Sequence, residues 1–348
     1  MSVDTTVGSL LLAGLTPDMR LRPFSYPADL DAMAELVAAT SEVDGHDWFP
    51  TAEVLAVHWR RTALFDPDRD CLVVEVDRAG MAAMVSVDPQ VRDGKTIHWI
   101  EGWVRPDRRR QGIGRALLGW AERHAAELVA TRAIGTADLP QLIGFGVLES
   151  NPAAMAFARG SGYSPVRYGF GMRRDLGEPI PDKALPDGIE LRPVRPEHHR
   201  QIWDADVEAF RDHFEPRERD ETDFDATFTG PNVETGLWRV AWDGDQVVGI
   251  VMNQIDPAEN ARLGLEIGWL EHVSVRRAWR GRGVASALIM ASLHALRERG
   301  MAIASLGVDG QNPTGALRLY EQLGFRRHET WITYRKPLSD VEGGGLDG

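Results

Sequence analysis

The segment Val275-Arg276-Arg277-Ala278-Trp279-Arg280-Gly281-Arg282-Gly283-Val284-Ala285 carries residues suited to holding a phosphate. It follows a β-rich run, Ile267 to Val275, and opens an apolar helical pattern, Gly283 to Arg299. Glycines let main-chain N–H groups turn toward one point with no Cβ in the way. A helix start adds unpaired donors and a positive dipole end. Together they make a cradle for a pyrophosphate, to which the arginines add charge. Ala285 is small enough for a bulky group to pass the helix start. Arg109-Arg110-Gln111-Gly112-Ile113-Gly114 follows Val104 in the same manner, about 170 residues upstream. A dinucleotide fingerprint needs a third glycine, and Ser286 and Leu117 stand there instead. A Walker loop needs Gly-Lys-Ser/Thr, which is absent.

These loops belong to a longer repeat. Leu21-Arg22-Pro23 recurs as Leu191-Arg192-Pro193, Asn151-Pro152 as Asn312-Pro313, and Gly162-Tyr163 as Gly324-Phe325. Landmarks recurring in one order at similar separations mark a duplicated unit. In the second half the patterns predict strands at 189–193, 237–242, 247–254, 267–275, 302–308 and 326–336. They predict helices at 197–210, 283–299 and 314–323, with a helix or loop at 220–229. Asp243-Gly244-Asp245-Gln246 reads as a hairpin turn. The first half repeats this, with strands near 71–77, 81–88, 96–104, 142–148 and 166–174 and helices from Gly112 and Pro152. The expected fold is α/β (α+β): two tandem domains, each a mixed, mostly antiparallel sheet flanked by helices. The expected boundaries are an extension at 1–18, a first domain at 19–176, a linker at 177–188, a second domain at 189–338 and a disordered tail at 339–348. The linker holds three prolines and two glycines in twelve residues.

Composition narrows the function. The chain has 348 residues, 43% hydrophobic and 26% charged, as a two-domain globular protein does. A net charge of −13 argues against nucleic acid or anionic membrane as partner. One cysteine, Cys71, excludes a disulfide framework. The adjacent His198 and His199 lack further ligands at metal spacing, so no metal is expected. No apolar run is long enough to span a membrane. No basic residue precedes Arg20, so a signal peptide is not expected and the setting is read as cytoplasmic. The eleven tryptophans are scattered, which suggests core packing. Arg108-Arg109-Arg110 is explained by the loop it precedes.

The pattern Gln/Arg-x-x-Gly-x-Gly/Ala resembles the signature loop of the GCN5-related N-acetyltransferases. Arg280, Gly283 and Ala285 fit it in the second half, and Arg109, Gly112 and Gly114 in the first. The resemblance covers most of both halves and is strongest over Leu270 to Phe325. It implies acetyl-CoA as co-substrate. Its pyrophosphate would lie on Arg280, Gly281, Arg282, Gly283, Val284 and Ala285, and its pantetheine arm along Val273 and Val275. Asn312 would cap or orient near that arm. In the first half Val104, Arg109, Arg110, Gln111, Gly112, Ile113 and Gly114 would bind likewise. Tyr320 would be the general acid, because a phenol of pKa ~10 is protonated at neutral pH and can donate to a departing thiolate. The same register in the first half holds Ala158, so that copy keeps the loop and lacks the acid. Glu271 would be the base for the attacking amine, with Glu266 a second candidate. On a regular strand Glu266 and Glu271 face opposite sides, and His272 points away from Glu271. Glu101 lies three residues before Val104 and Glu271 four before Val275, so they are not equivalent unless a bulge intervenes.

Two such domains, with the second alone complete, resemble the mycothiol synthase group of tandem acetyltransferases. Those act on the cysteinyl amine of a sugar–inositol thiol precursor. The expected activity is direct transfer of acetyl to the primary amine of a small molecule. A non-catalytic acetyl-CoA sensor and a peptide or protein N-acetyltransferase remain open alternatives. The acceptor and the oligomeric state stay undetermined by the residues.

Overall fold

The computed structural model describes residues 16–60, 62–77, 80–132, 139–216, 218–312 and 315–341. Residues 1–15 of the expected extension and 342–348 of the expected tail lie outside the described residues. The first half contains β1 (Met19–Pro23), α1 (Leu30–Asp44), α2 (Ala52–His58), α3 (Pro67–Asp70), β2 (Cys71–Val76), β3 (Gly80–Arg92), β4 (Lys95–Val104), α4 (Ile113–Arg132), β5 (Gln141–Leu148), α5 (Pro152–Gly160) and β6 (Ser164–Asp175). The second contains β7 (Ile189–Arg192), α6 (His199–Phe210), α7 (Glu221–Thr229), β8 (Arg239–Asp243), β9 (Gln246–Gln254), α8 (Pro257–Leu263), β10 (Ile267–Val275), α9 (Val284–Glu298), β11 (Ile303–Asp309), α10 (Ala316–Gln322) and β12 (Arg326–Pro337).

These elements form two compact units that do not follow the chain linearly. One holds residues 1–166 and 332–348, the other 167–331. Strands β6 and β12 each contribute to both. In the first unit β1, β2, β3 and β4 run antiparallel, β5 joins β4 in parallel, and the end of β12 lies next to β5. In the second, β7, β8, β9 and β10 run antiparallel and β11 joins β10 in parallel. Residues 169–175 of β6 then pair antiparallel with β11.

Local chemistry explains the second unit. Gly244 takes φ +54° as the first residue of the two-residue turn Gly244-Asp245 between Asp243 and Gln246, as a glycine-first hairpin turn requires. Helix α7 opens on a capping box of Asp220 and Asp223. Helix α9 lays Leu288, Ile289, Leu293 and Leu296 into the core. It lies close on the sheet because β9 and β10 present glycines under it. A Cβ on Gly249 would stand 2.9 Å from Leu288, and one on Gly268 2.5 Å from Leu296. The expected linker packs against this unit: Ile180 is buried in its core, and Pro179 accepts a hydrogen bond from Arg174. Trp59, Trp203 and Trp238 are buried, while Trp48 and Trp331 are partly covered. His199 stacks on Phe228 and His198 lies against Trp242.

The first unit's core contains Ile332, Tyr334 and Leu338, the last in a 3-10 turn at Leu338–Asp340, where the tail was expected to begin. Gly144 of β5 admits β12, since a Cβ there would lie 2.4 Å from the main-chain oxygen of Tyr334. Burial of such side chains is worth about 1.5–3 kcal/mol each, against a total stability of about 5–15 kcal/mol. A chain ending at Trp331 should therefore lose the cooperative unfolding transition of the first unit. Calorimetry that still shows two native transitions in the truncated chain would contradict this arrangement.

Candidate functional site

Strand β10 is the element on which the site is built. It pairs in parallel with β11 only at Ile267–Trp269, opposite Ile303–Ser305. From Leu270 to Val275 it has no ladder partner on that side among the described residues. On its other side it follows β9, with Val275 opposite Gly249 and His272 opposite Met252. Leu270 then lies opposite Asn253, so Glu271 is an extra residue in a β-bulge. This corrects the regular-strand reading of Glu271 and His272. Glu266 lies one residue before the strand, and its carbonyl accepts from the amides of Ala302 and Ile303.

The first unit repeats the parting and lacks the bulge. Strand β4 pairs with β5 only at Thr96–Trp99, and its register with β3 is continuous from Lys95 to Val104. Glu101 therefore matches His272, and Glu271 has no counterpart. Glu101 lies 3.5 Å from His58 of α2. Burial works to lower the His58 pKa, but Glu101 and Asp88 together outweigh it and raise it.

The two loops share one main-chain path. Arg276 N–H donates to Val248 and Arg105 N–H to Ala82; a 3-10 turn follows at Arg277–Trp279 and at Pro106–Arg108. Gly281 takes φ +73° and Gly283 +89°; Arg110 takes +65° and Gly112 +88°. A Cβ on Gly281 or Gly283 would point into open space. Helices α9 and α4 carry no acidic residue in their first turn, and no side chain caps α9. The start of α9 is thus left with free donors, and neither helix start has an acid to offset its positive end, the condition for binding an anion. The residues fit a pyrophosphate.

Most arginines of these loops are engaged elsewhere. Arg280 donates to the carbonyls of Val275 and Ala209 and to Asp212 at 2.6 Å. Arg109 donates to the carbonyl of Val104 and, by both terminal nitrogens, to Asp44. Arg276 binds Glu208, and Arg277 binds Asp212. Asp212 is held below the usual carboxylate range by Arg277 and Arg280. Arg282, Arg110 and Gln111 stay exposed. Val284 and Ile113 are buried at the helix starts, and a Cβ on Gly114 would meet Val104 at 3.8 Å. Val104, Val273 and Val275 are half-buried, and Ala285 follows Val284 in the first turn of α9. The anchoring acids were not picked out from the sequence. Their signal was there, because Asp44 and Asp212 sit about as far apart as the other repeated landmarks.

Tyr320 lies on α10 with 6% exposure, its ring 5.9 Å from Phe325. Burial pushes its phenol up to about 12, so it is protonated at neutral pH. Asn312 lies in the turn before α10, its carbonyl accepting from Gly315, whereas Asn151 caps α5 with its side chain. Ala158 is fully buried in the first unit. Tyr163 there donates to Glu122 at 2.9 Å, with Lys336 over its ring. Glu271 reaches solvent, yet desolvation by the surrounding protein raises its carboxyl, against the opposite pull of His272. The second unit thus brings loop, bulged carboxylate and protonated phenol into one fold; the first brings only the loop.

The chain belongs to the acetyltransferase (GNAT) family, whose profile matches residues 30–163 and 199–325. It is 30% identical to a mycothiol acetyltransferase of Thermobispora bispora, over 89% of this chain and 97% of that one. It is also 30% identical to a mycothiol acetyltransferase of Salinispora arenicola, over 89% and 94%. A solved GCN5-related N-acetyltransferase from Sphaerobacter thermophilus matches with a TM-score of 0.71 at 28% identity, over 93% of this chain and 97% of that one. A tandem GNAT protein from the clavulanic acid biosynthesis pathway shares the fold, at TM-score 0.67 and 18% identity, over 94% and 100%. The protein is an N-acetyltransferase with two tandem GNAT domains. Among the described residues no helix is long and apolar enough to cross a membrane, and no group of three metal-ligating side chains occurs.

Arg110 holds a left-handed conformation that costs an ordinary residue about 1–2 kcal/mol. Arg110→Gly should stabilise the first unit by about 1 kcal/mol or less, after the flexibility cost of glycine. Gly281→Ala should destabilise the second by about 1 kcal/mol. Denaturant midpoints at constant slope measure both.

Proposed function

We propose that the second unit transfers acetyl from acetyl-CoA to the primary amine of a small molecule by direct attack in a ternary complex. The observation that carries this is the bulge at Glu271, which sets a carboxylate where β10 leaves β11, one strand-end away from an uncapped helix start. The loop from Arg280 to Ala285 would hold the pyrophosphate through its main-chain N–H groups, with Arg280 bracing the loop through Val275 and Asp212. The free edge of β10 at Val273 and Val275 would pair with the pantetheine amides, and Asn312 would shape the turn beside that arm. An amine must be neutral to attack, and Glu271 takes its proton directly or through water. Glu266 has its main chain committed to β11 and is the weaker candidate. Main-chain N–H groups near Val275 stabilise the developing oxyanion. Tyr320 donates to the leaving thiolate. A thiolate of pKa ~8.5, by analogy with cysteine, leaves without strict need of an acid, so Tyr320 contributes modestly.

The first unit keeps the loop at Val104 and Arg109 to Gly114 and holds Ala158 in place of the acid. Its proposed role is to bind acetyl-CoA without turnover. The mycothiol acetyltransferases among the relatives support a thiol-precursor amine as acceptor. The residues favour a cytoplasmic setting, with no metal, nucleic acid or membrane required.

The test is thiol release from acetyl-CoA with S-methyl-L-cysteine amide, D-glucosamine, spermidine and a short peptide. Acetylation of small amines is expected; activity on the peptide alone would favour the protein-acetylating alternative, and binding without turnover the sensor. With the first loop blocked by Gly112→Val, Gly283→Val should abolish acetyl-CoA binding, since the side chain enters the open phosphate position. Unchanged affinity by calorimetry would refute that. Tyr320→Phe should lower kcat toward ~100-fold, the low end for general acid–base groups, with acetyl-CoA affinity unchanged.

Glu271 gives a separate readout. Its carboxyl is raised on folding, so stability is greatest at low pH and declines as pH rises through the folded pKa. Glu271→Gln should therefore raise the Tm at pH 7–8 relative to wild type, with the gain vanishing toward the pKa of an unfolded Glu, ~4.3. The same variant should lose activity most at low pH, where the amine is most protonated.

A further inference from the structure

Asp206 on α6 is fully buried and carries a network that the loop and the bulge do not require. One of its oxygens accepts from Ser274 Oγ at 2.9 Å. The other accepts from Arg219 at 2.8 Å and from His272 Nδ1 at 2.9 Å. A carboxylate only accepts, so Nδ1–H is the donor to Asp206, and in the neutral ring the lone pair lies on Nε2. Among the described residues Nε2 has no hydrogen-bond partner, and the side chain is about one-third exposed. Phe210 packs 5.0 Å from the imidazole, and His213 packs on Phe210. His272 is the first residue after the bulge, on the stretch that β11 has left.

The charges around this imidazole are arranged for a base. They are Asp206 and, past Phe210, His213 from α6 and its C-terminal turn, Arg219 from the segment before α7, and Glu271 on its own strand. Burial would raise Asp206, yet His272 and Arg219 outweigh it and hold it below the usual range. Arg219, stacked on Trp203, shares the carboxylate oxygen that orients the imidazole. A buried charge costs several kcal/mol unless paired, and such networks cluster at functional sites.

The geometry points to His272 as a second proton acceptor for the attacking amine, with Asp206 and Arg219 as its positioning residues. This rests on the acetyl-transfer reading above. An ammonium nitrogen must lose two protons to become an amide. Glu271 takes the first and frees the lone pair. As nitrogen bonds to the thioester carbonyl carbon, His272 Nε2 takes the second. The C–S bond then breaks with its electrons on sulfur, which takes a proton from Tyr320. Tyr320 is reprotonated by one acceptor, and the other releases its proton to solvent.

The full chain is assayed by thiol release with the four amines above, from about pH 6 to about pH 9. His272→Ala should lower kcat by ~100-fold or more, with acetyl-CoA affinity unchanged, and added imidazole should restore activity. Imidazole should not rescue Glu271→Gln. A far-downfield proton resonance of His272 Nδ1–H should vanish in both His272→Ala and Asp206→Asn. Wild-type activity in His272→Ala across that pH range, or a folded variant whose loss imidazole does not restore, would overturn the inference and leave the acetyl-transfer reading standing. A wild-type chain inert toward all four amines would overturn both.

Discussion

Parallel strands β10 and β11 share only three residues of ladder, and the structure is organised around that early parting. An unpaired strand edge inside a sheet leaves main-chain donors and acceptors that something must satisfy. Here the open edge ends at Val275, which runs straight into a loop whose helix start is equally unsatisfied. Two sets of free N–H groups on one continuous stretch suit a long ligand with an amide arm and an anionic end. The rest of the second unit keeps that stretch in place. Gly249 and Gly268 let α9 lie low on the sheet, and Arg280 ties the loop back to Val275 and Asp212.

The arginines show how charge is spent in an acidic protein. Arg276, Arg277 and Arg280 each meet a carboxylate of the α6 region, and Arg109 meets Asp44 at the end of α1. Their positive charge is largely cancelled by these partners. What they supply is a loop held rigidly enough for its main chain to bind. Electrostatic attraction for an anion then falls to the helix dipoles and to the exposed Arg282 and Arg110.

The two units show a duplicated scaffold whose copies diverged at the chemistry. Both keep the loop path, the parted strands and the anchored arginine. One has a one-residue bulge and a buried tyrosine on α10; the other has a regular strand and Ala158. In the first unit the position matching His272 holds Glu101, and its partner His58 comes from α2, so acid and imidazole have exchanged elements. The first unit also fills the space near α5 with Tyr163, bound by Glu122 beside Lys336. Those contacts serve packing.

Hydrophobic periodicity, the glycine loops and the repeated landmarks were enough to read the duplication, the family and most of the elements from the residues alone, though not the short helices α2, α3 and α8. Such signals are local: a strand alternates, a helix recurs every three to four residues, and a left-handed turn asks for glycine. The bulge at Glu271 was not legible, because one extra residue leaves composition unchanged and appears only against the register of β9. The pairing of Asp206 with His272, Ser274 and Arg219 joins residues up to 68 positions apart, with no local pattern to announce it. The division of β6 and β12 between two units was hidden for the same reason, since a strand's own sequence does not name the sheet it joins. Local propensity chose the parts; long-range packing decided which unit received the last strand and which side chains meet where β10 leaves β11.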